Sequence, residues 1–208
     1  MRQGSEEEVD SGPAWNLFAG SSAIYRRSWV FYMVLGLAGA IWTSAAIDSA
    51  EHQPFWRLLF NPQSWHRDLG LGLAIGLGLA LAWLGLRQLP WLAQLEQHIA
   101  QVVVQFHRSE LWALCALSAF AEELFFRGAM QEAWCLWPSA LVFGLAHLAP
   151  GRAGFLWALL AATAGVALGA LYASTGTLLA PIAAHASVNV VNLARMIKTA
   201  PANHREVQ

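Results

Sequence analysis

The run AGFLWALLAATAGVALGALYASTGTLLAPIAAHASVNVVNLA, residues 153–194, contains no Asp, Glu, Lys or Arg. Charged residues make up about 25% of an ordinary soluble domain, so a stretch of this length without one belongs in lipid. A helix needs ~20 apolar residues to cross the hydrocarbon layer, and the run divides near Gly176 into two such segments, Phe155 to Ala173 and Thr177 to Arg195. Working toward the N-terminus, further apolar stretches cover Pro138 to Ala149, Leu111 to Ala133, Leu69 to Leu86 and Trp29 to Ile47. Irregular backbone cannot face lipid, and none of these runs alternates as a barrel strand would. The sequence therefore predicts an all-α polytopic transmembrane bundle of about six spans. The segment Pro90 to Arg108, amphipathic through Glu96, His98, Gln101 and Gln105, supplies one more helix on the membrane surface or in the bundle.

Composition agrees. Of 208 residues 57% are apolar and only 12% charged, with a mean hydropathy of +0.43. Eleven tryptophans suit a protein with two bilayer interfaces to occupy. A net charge of −1 argues against nucleic acid as a partner, leaving membrane lipids and a membrane-associated peptide or protein. Nothing in the sequence sets an oligomeric state. Cys115 and Cys135 lie in apolar surroundings without metal-ligand spacing and read as buried free thiols.

Four regions follow from these shifts: a polar N-terminal tail (1–28) with acidic residues Glu6, Glu7, Glu8 and Asp10; N-terminal membrane helices and interfacial segments (29–109); a membrane core (110–198) expected to be catalytic; and a C-terminal tail (199–208). Pro54, Phe55, Trp56, Phe60, Pro62 and Trp65 mark an interfacial stretch between the first two spans. Basic residues before the first span (Arg2, Arg26, Arg27) and after the last (Arg195, Lys198, Arg205) are expected to place both termini in the cytoplasm, and the compact size points to a bacterial inner membrane. The second span carries Gly70, Gly72, Gly76, Gly78 and Gly85; Gly72 and Gly76 form a small-xxx-small pair for close helix approach.

One apolar stretch contains Glu122-Glu123-Leu124-Phe125-Phe126-Arg127. Each charge at bilayer depth costs roughly 2.5–3.5 kcal/mol on insertion scales, and intramembrane ionisable residues are functional by default. Glu123 and Arg127, at i and i+4, share a helix face and can pair; Glu122 is rotated about 100° away and looks toward something else. A helix simply ending at headgroup level would account for the same charges. Two further helices, however, present polar groups: Phe143-Gly-Leu-Ala-His147 and His185-Ala-Ser-Val-Asn189. A lone histidine is more often a core residue than a catalyst, but polar groups on three apolar helices are a poor fit to independent accidents.

Together these residues suit peptide hydrolysis. A carboxylate withdrawn from bulk water is a stronger base, so Glu122 with His147 can polarise a water, while His185 and Asn189 can donate hydrogen bonds to an oxyanion. No Gly-x-Ser-x-Gly elbow occurs. A metal held by Glu122, His147 and His185 is chemically reasonable, although no His-Glu-x-x-His helix is present, and the spacing neither demands nor excludes it.

Glu122-Glu123-x-x-x-Arg127, Phe143-x-x-x-His147 and His185-x-x-x-Asn189 resemble, in order, the three signature motifs of the CPBP family, the CAAX-processing and bacteriocin-protection (Abi) membrane proteins that include the eukaryotic Ras-converting endopeptidase. The resemblance covers roughly residues 110 to 195. It implies an intramembrane glutamic endopeptidase without a cofactor. Glu122 would be the base assisted by His147, His185 and Asn189 the oxyanion site, and Glu123 with Arg127 a supporting ion pair. Family members have about eight helices, two more than the spans counted here. A non-catalytic scaffold or immunity protein of the same fold is the alternative. A proton relay is a poorer one, because no second glutamate-bearing helix mirrors the first.

Overall fold

The computed structural model describes residues 23–48, 54–86, 88–103 and 106–199, and these are helical with short connections and no strand. The acidic run Glu6 to Asp10, the C-terminal tail and the side chains of His98, Gln101 and Gln105 lie outside the described residues. Helix α1 is Ala23–Asp48, α2 is Trp56–Leu59, α3 is Trp65–Leu86 and α4 is Pro90–Val103; α5, Arg108–Glu123, continues directly into a π-helical segment, Leu124–Gln131, and a short α6, Glu132–Trp134. Helices α7 (Leu136–Ala146), α8 (Gly151–Thr175) and α9 (Leu179–Thr199) complete the chain.

All six apolar stretches fold as helices, as lipid demands. Three of them, in α1, α3 and α8, are both long and apolar enough to cross a membrane. Helix α7 does not fit the sequence expectation of a full span. It has 11 residues, about 16 Å of rise against ~30 Å of hydrocarbon, because the chain leaves the helix at His147 and turns through Ala149 and Pro150. Helix α1 starts six residues before Trp29, carrying Arg26 and Arg27 within its first turns. The amphipathic segment joins the bundle. Leu92 and Leu95 of α4 are buried against Trp83, Trp157 and Leu160, and Glu96 pairs with Arg195 of α9.

Two apolar clusters define the ends of the bundle. At one end Tyr25, Leu111 and Leu193 pack with Phe106, bringing together the starts of α1 and α5 and the end of α9. At the other, Leu124, Tyr172 and Leu178 pack with Ala40 and Leu58, joining the end of α8, the start of α9 and α2. There the buried carboxylate of Asp68 accepts from Ser64, Arg67 and Thr177, stapling α3 to the α8–α9 turn. The first described residues of α1 and the end of α9 thus share one end of the molecule.

Helices α3 and α9 make the closest pairing, and two of the five α3 glycines explain it. Gly70, Gly78 and Gly85 face open space, whereas a Cβ on Gly72 would collide with the carbonyl oxygen of Ala180, and one on Gly76 with that of Ala184. This is the small-xxx-small contact expected from the sequence. Ala184 precedes His185, so the depth of the contact fixes where that imidazole stands. Gly76→Val is expected to destabilise the protein by about 3 kcal/mol, because backbone cannot yield to the added side chain. A lower melting temperature in detergent, beside an unchanged one for Gly78→Val, would show it.

Both cysteines are free, but neither is buried as the sequence suggested: Cys115 is half-buried and Cys135 is exposed. It occupies the α6–α7 corner with φ of 67°, where the chain reverses too sharply to hide a side chain.

Candidate active site

Glu122 and Glu123 end α5 immediately before the π-helical segment, a geometry that recurs at functional sites. Both are buried, as is Arg127, which is 1% exposed. Arg127 Nη1 donates to Glu123 Oε1 at 2.9 Å, its Nη2 donates to the Gly165 carbonyl of α8 at 3.1 Å, and the guanidinium lies 4.5 Å from the centre of the Phe143 ring. One turn on, Gln131 Nε2 donates to the Gly169 carbonyl at 2.9 Å. A Cβ on Gly169 would meet the Gln131 side chain, and one on Gly165 would press on Phe143 and Ala140 of α7, so the two glycines let the π segment and α7 close on α8. The Ser139 hydroxyl of α7 donates to the Phe126 carbonyl at 2.7 Å, satisfying a main-chain acceptor within the wide turn.

Phe143 joins the pieces. Its ring contacts Phe126 at 5.0 Å, His147 at 4.6 Å and His185 at 6.1 Å between centroids. Its carbonyl lies 2.7 Å from His147 Nδ1. In the neutral ring this hydrogen bond places the proton on Nδ1 and leaves Nε2 as an acceptor. That Nε2 stands 3.9 Å from Glu122 Oε2, and His185 Nε2 stands 4.0 Å from the same oxygen. Glu122 Oε2 is buried and hydrogen-bonds to no protein atom.

The sequence places Glu123 with Arg127 alone. The structure adds His185, whose Nδ1 is 2.8 Å from Glu123 Oε1, so this imidazole is held by Glu123 and stands beside Glu122. Asn189, one turn further along α9, donates from Nδ2 to Ser118 Oγ at 3.2 Å. Ser118 is one turn before Glu122 on α5 and in turn donates to the Cys115 carbonyl.

Tyr32 of α1 was not among the sequence candidates. Its hydroxyl is hydrogen-bonded to the Glu122 side chain. Tyr32, Gly36, Gly39 and Thr43 form one stripe on α1. A Cβ at Gly39 would meet the Phe125 backbone at 2.9 Å, and the Gly128 position lies against Thr43. The glycines bring α1 close enough for the phenol to reach the carboxylate. A polar side chain within the first apolar run was the available signal. Tyr32→Phe is expected to lower turnover about tenfold without lowering the melting temperature, since it removes one hydrogen bond to a charged group and leaves the ring in place.

Among the described residues no three His, Cys, Asp or Glu side chains are arranged to hold a metal ion. The 3.9 and 4.0 Å separations also exceed the ~3.3 Å between ligand atoms that tetrahedral zinc with bonds of ~2.0–2.1 Å imposes.

Apolar helices enclosing ionisable side chains on a wide helical turn, with two imidazoles beside a carboxyl oxygen that no protein atom hydrogen-bonds, define an integral membrane protein with a buried centre of ionisable groups. Residues 105–191, which contain all of that centre except Tyr32, match the model of the family described as type II CAAX prenyl endopeptidase Rce1-like. The uncharacterized protein YpbD of Bacillus subtilis (strain 168) is 36% identical over 78 residues, covering 38% of this chain and 41% of that relative's length. No solved structure matches.

Proposed function

We propose that the protein is an intramembrane endopeptidase that hydrolyses a peptide bond in a membrane-associated protein or peptide, using water activated by Glu122. The observation that carries this is the buried Glu122 Oε2, without a protein partner and 3.9 Å from an imidazole nitrogen set up as an acceptor. Two acceptors at that separation suit the two O–H groups of one water molecule, whose lone pair then points at a substrate carbonyl. As the water attacks, its proton passes to Glu122. His185, with Nδ1 held by Glu123, donates through Nε2 in its doubly protonated form to the oxyanion, and Asn189, held by Ser118, offers its remaining N–H. Glu122 then gives the proton to the leaving amine as the C–N bond breaks.

Glu123 and Arg127 support this centre by fixing His185 and Phe143. No step draws on a metal, so 1,10-phenanthroline is expected to leave the cleavage rate unchanged; inhibition reversed by added zinc would overturn that part of the mechanism. The end of the bundle carrying Arg26, Arg27, Arg108, Arg152, Arg195 and Lys198 is proposed as the cytoplasmic one, facing an opposite end with Arg57 and Arg67. The inner membrane of a bacterium is the proposed location.

The test compares peptide termini in membranes from cells carrying wild type or Glu122→Gln. Termini that appear only with wild type support the protease and reveal its substrate. Identical termini, with both proteins folded and equally abundant, would favour a non-catalytic scaffold instead.

A further inference from the structure

A cavity of about 230 Å³ opens between α3, α8 and α9, and its lining includes His185 and Asn189. The rest is mostly apolar, with Trp83 from α3 and Trp157, Leu160 and Ala164 from α8, and it contains one more amide, Asn192. Asn192 continues the α9 face of His185 and Asn189, at the i, i+4, i+7 spacing of a single helical stripe. Its Oδ1 is buried and accepts no hydrogen bond from the protein. Asn189 is anchored by Ser118 and Arg195 by Glu96, but the Asn192 acceptor between them is unused. A buried acceptor without a donor is unfavourable, and a turn of the Asn192 amide about its Cβ–Cγ bond would present the oxygen to a donor in the adjoining slot.

We propose that Asn192 is a substrate-positioning residue: its Oδ1 accepts a main-chain N–H of a substrate lying extended along α9, while the adjacent substrate side chain, large and apolar, fills the slot between Trp83, Trp157 and Ala164. This rests on the protease reading and names what that site selects. Distance fixes the register. From His185 to Asn192 the helix rises ~10 Å, and an extended strand advances ~3.3 Å per residue, so the N–H bound by Asn192 belongs to a residue about three positions from the scissile bond. The slot runs toward the basic end of the bundle. There the Trp83 indole donates to Glu96, and Glu96 holds Arg195, so α4 closes the slot. The recognised side chain therefore lies between the cut and the basic end.

The experiment uses full-length protein in phospholipid nanodiscs and a pooled library of decapeptides blocked at both ends, with products sequenced by mass spectrometry. Products that form with wild type and not with Glu122→Gln establish the reaction; if wild type yields none, the protease reading fails and this assignment fails with it. For the best peptide, Asn192→Leu is expected to raise KM about tenfold, with kcat within twofold and the melting temperature not lowered. N-methylation of the amide about three residues from the cut should raise the wild-type KM by a similar factor and leave the Asn192→Leu KM unchanged. Ala164→Phe, which fills the slot, should shift the preference at that position from large to small side chains. Glu122-dependent cleavage with a KM indifferent to Asn192→Leu, or an N-methyl penalty equal in both proteins at every position, would overturn the Asn192 assignment alone. A loss in kcat and melting temperature with KM unchanged would make Asn192 structural and overturn it equally.

Discussion

Purified Glu122→Gln protein is expected to turn over at least a thousandfold more slowly than wild type while melting at the same temperature or higher. Loss of a general base removes ~10²–10⁴ in rate, and here the same carboxylate also carries the proton to the leaving amine. The amide keeps the shape of the side chain and can still meet Tyr32. The exchange breaks no hydrogen bond between Oε2 and the protein, so the fold keeps its stability while the chemistry is lost. A fall in rate accompanied by a fall in melting temperature would assign Glu122 a structural role. Retention of more than a tenth of the rate would move the base elsewhere.

Arg127→Met is expected to act on the fold itself. The guanidinium and the Glu123 carboxylate are fully enclosed, and beyond Glu123 the arginine also holds Gly165 of α8 and the face of Phe143. Removing one partner of a buried pair leaves an uncompensated charge and typically costs 3–5 kcal/mol, a large part of the ~5–15 kcal/mol of a typical domain. The double variant Glu123→Leu/Arg127→Met eliminates both charges. It should recover most of the melting temperature lost in the single variant, since apolar replacement of a whole buried pair is often neutral or stabilising. It should not recover turnover, because His185 then has no partner on Nδ1. Thermal melts in detergent alongside cleavage assays separate the two effects; equal stability of the single and double variants would show that the pair is not a coupled unit.

The positions of the helices were legible in the sequence because the bilayer imposes a local rule: every apolar run must satisfy its own backbone. The Glu123–Arg127 pair was legible for a related reason, since i, i+4 neighbours meet whatever surrounds them, and Gly72 with Gly76 carried their packing role in their spacing. The half-length of α7 was harder to see, because its apolar residues continue to Leu148 while the backbone departs at His147. The bond from His185 to Glu123 joins α9 to α5, and the hydroxyl of Tyr32 reaches Glu122 from α1. Contacts of that kind depend on how helices dock, and no spacing within a single helix encodes them. Asn192 is similar, a third polar residue on an already polar stripe until the cavity beside it sets it apart.

The π-helical segment has a consequence for phase. A wide turn is equivalent to one residue inserted into an α-helix, so positions before and after Leu124–Gln131 do not belong on one helical wheel. Glu122 points at two imidazoles, while Gln131, beyond the wide turn, meets α8. Deleting a single residue between Gly128 and Gln131 would restore the ordinary repeat and turn everything beyond it by about 100° relative to Glu122. The clasp on Gly169 would then face away from α8, and α7, with Phe143 and His147, would be carried out of alignment with the carboxylate. In this stretch the number of residues is constrained as well as their identity.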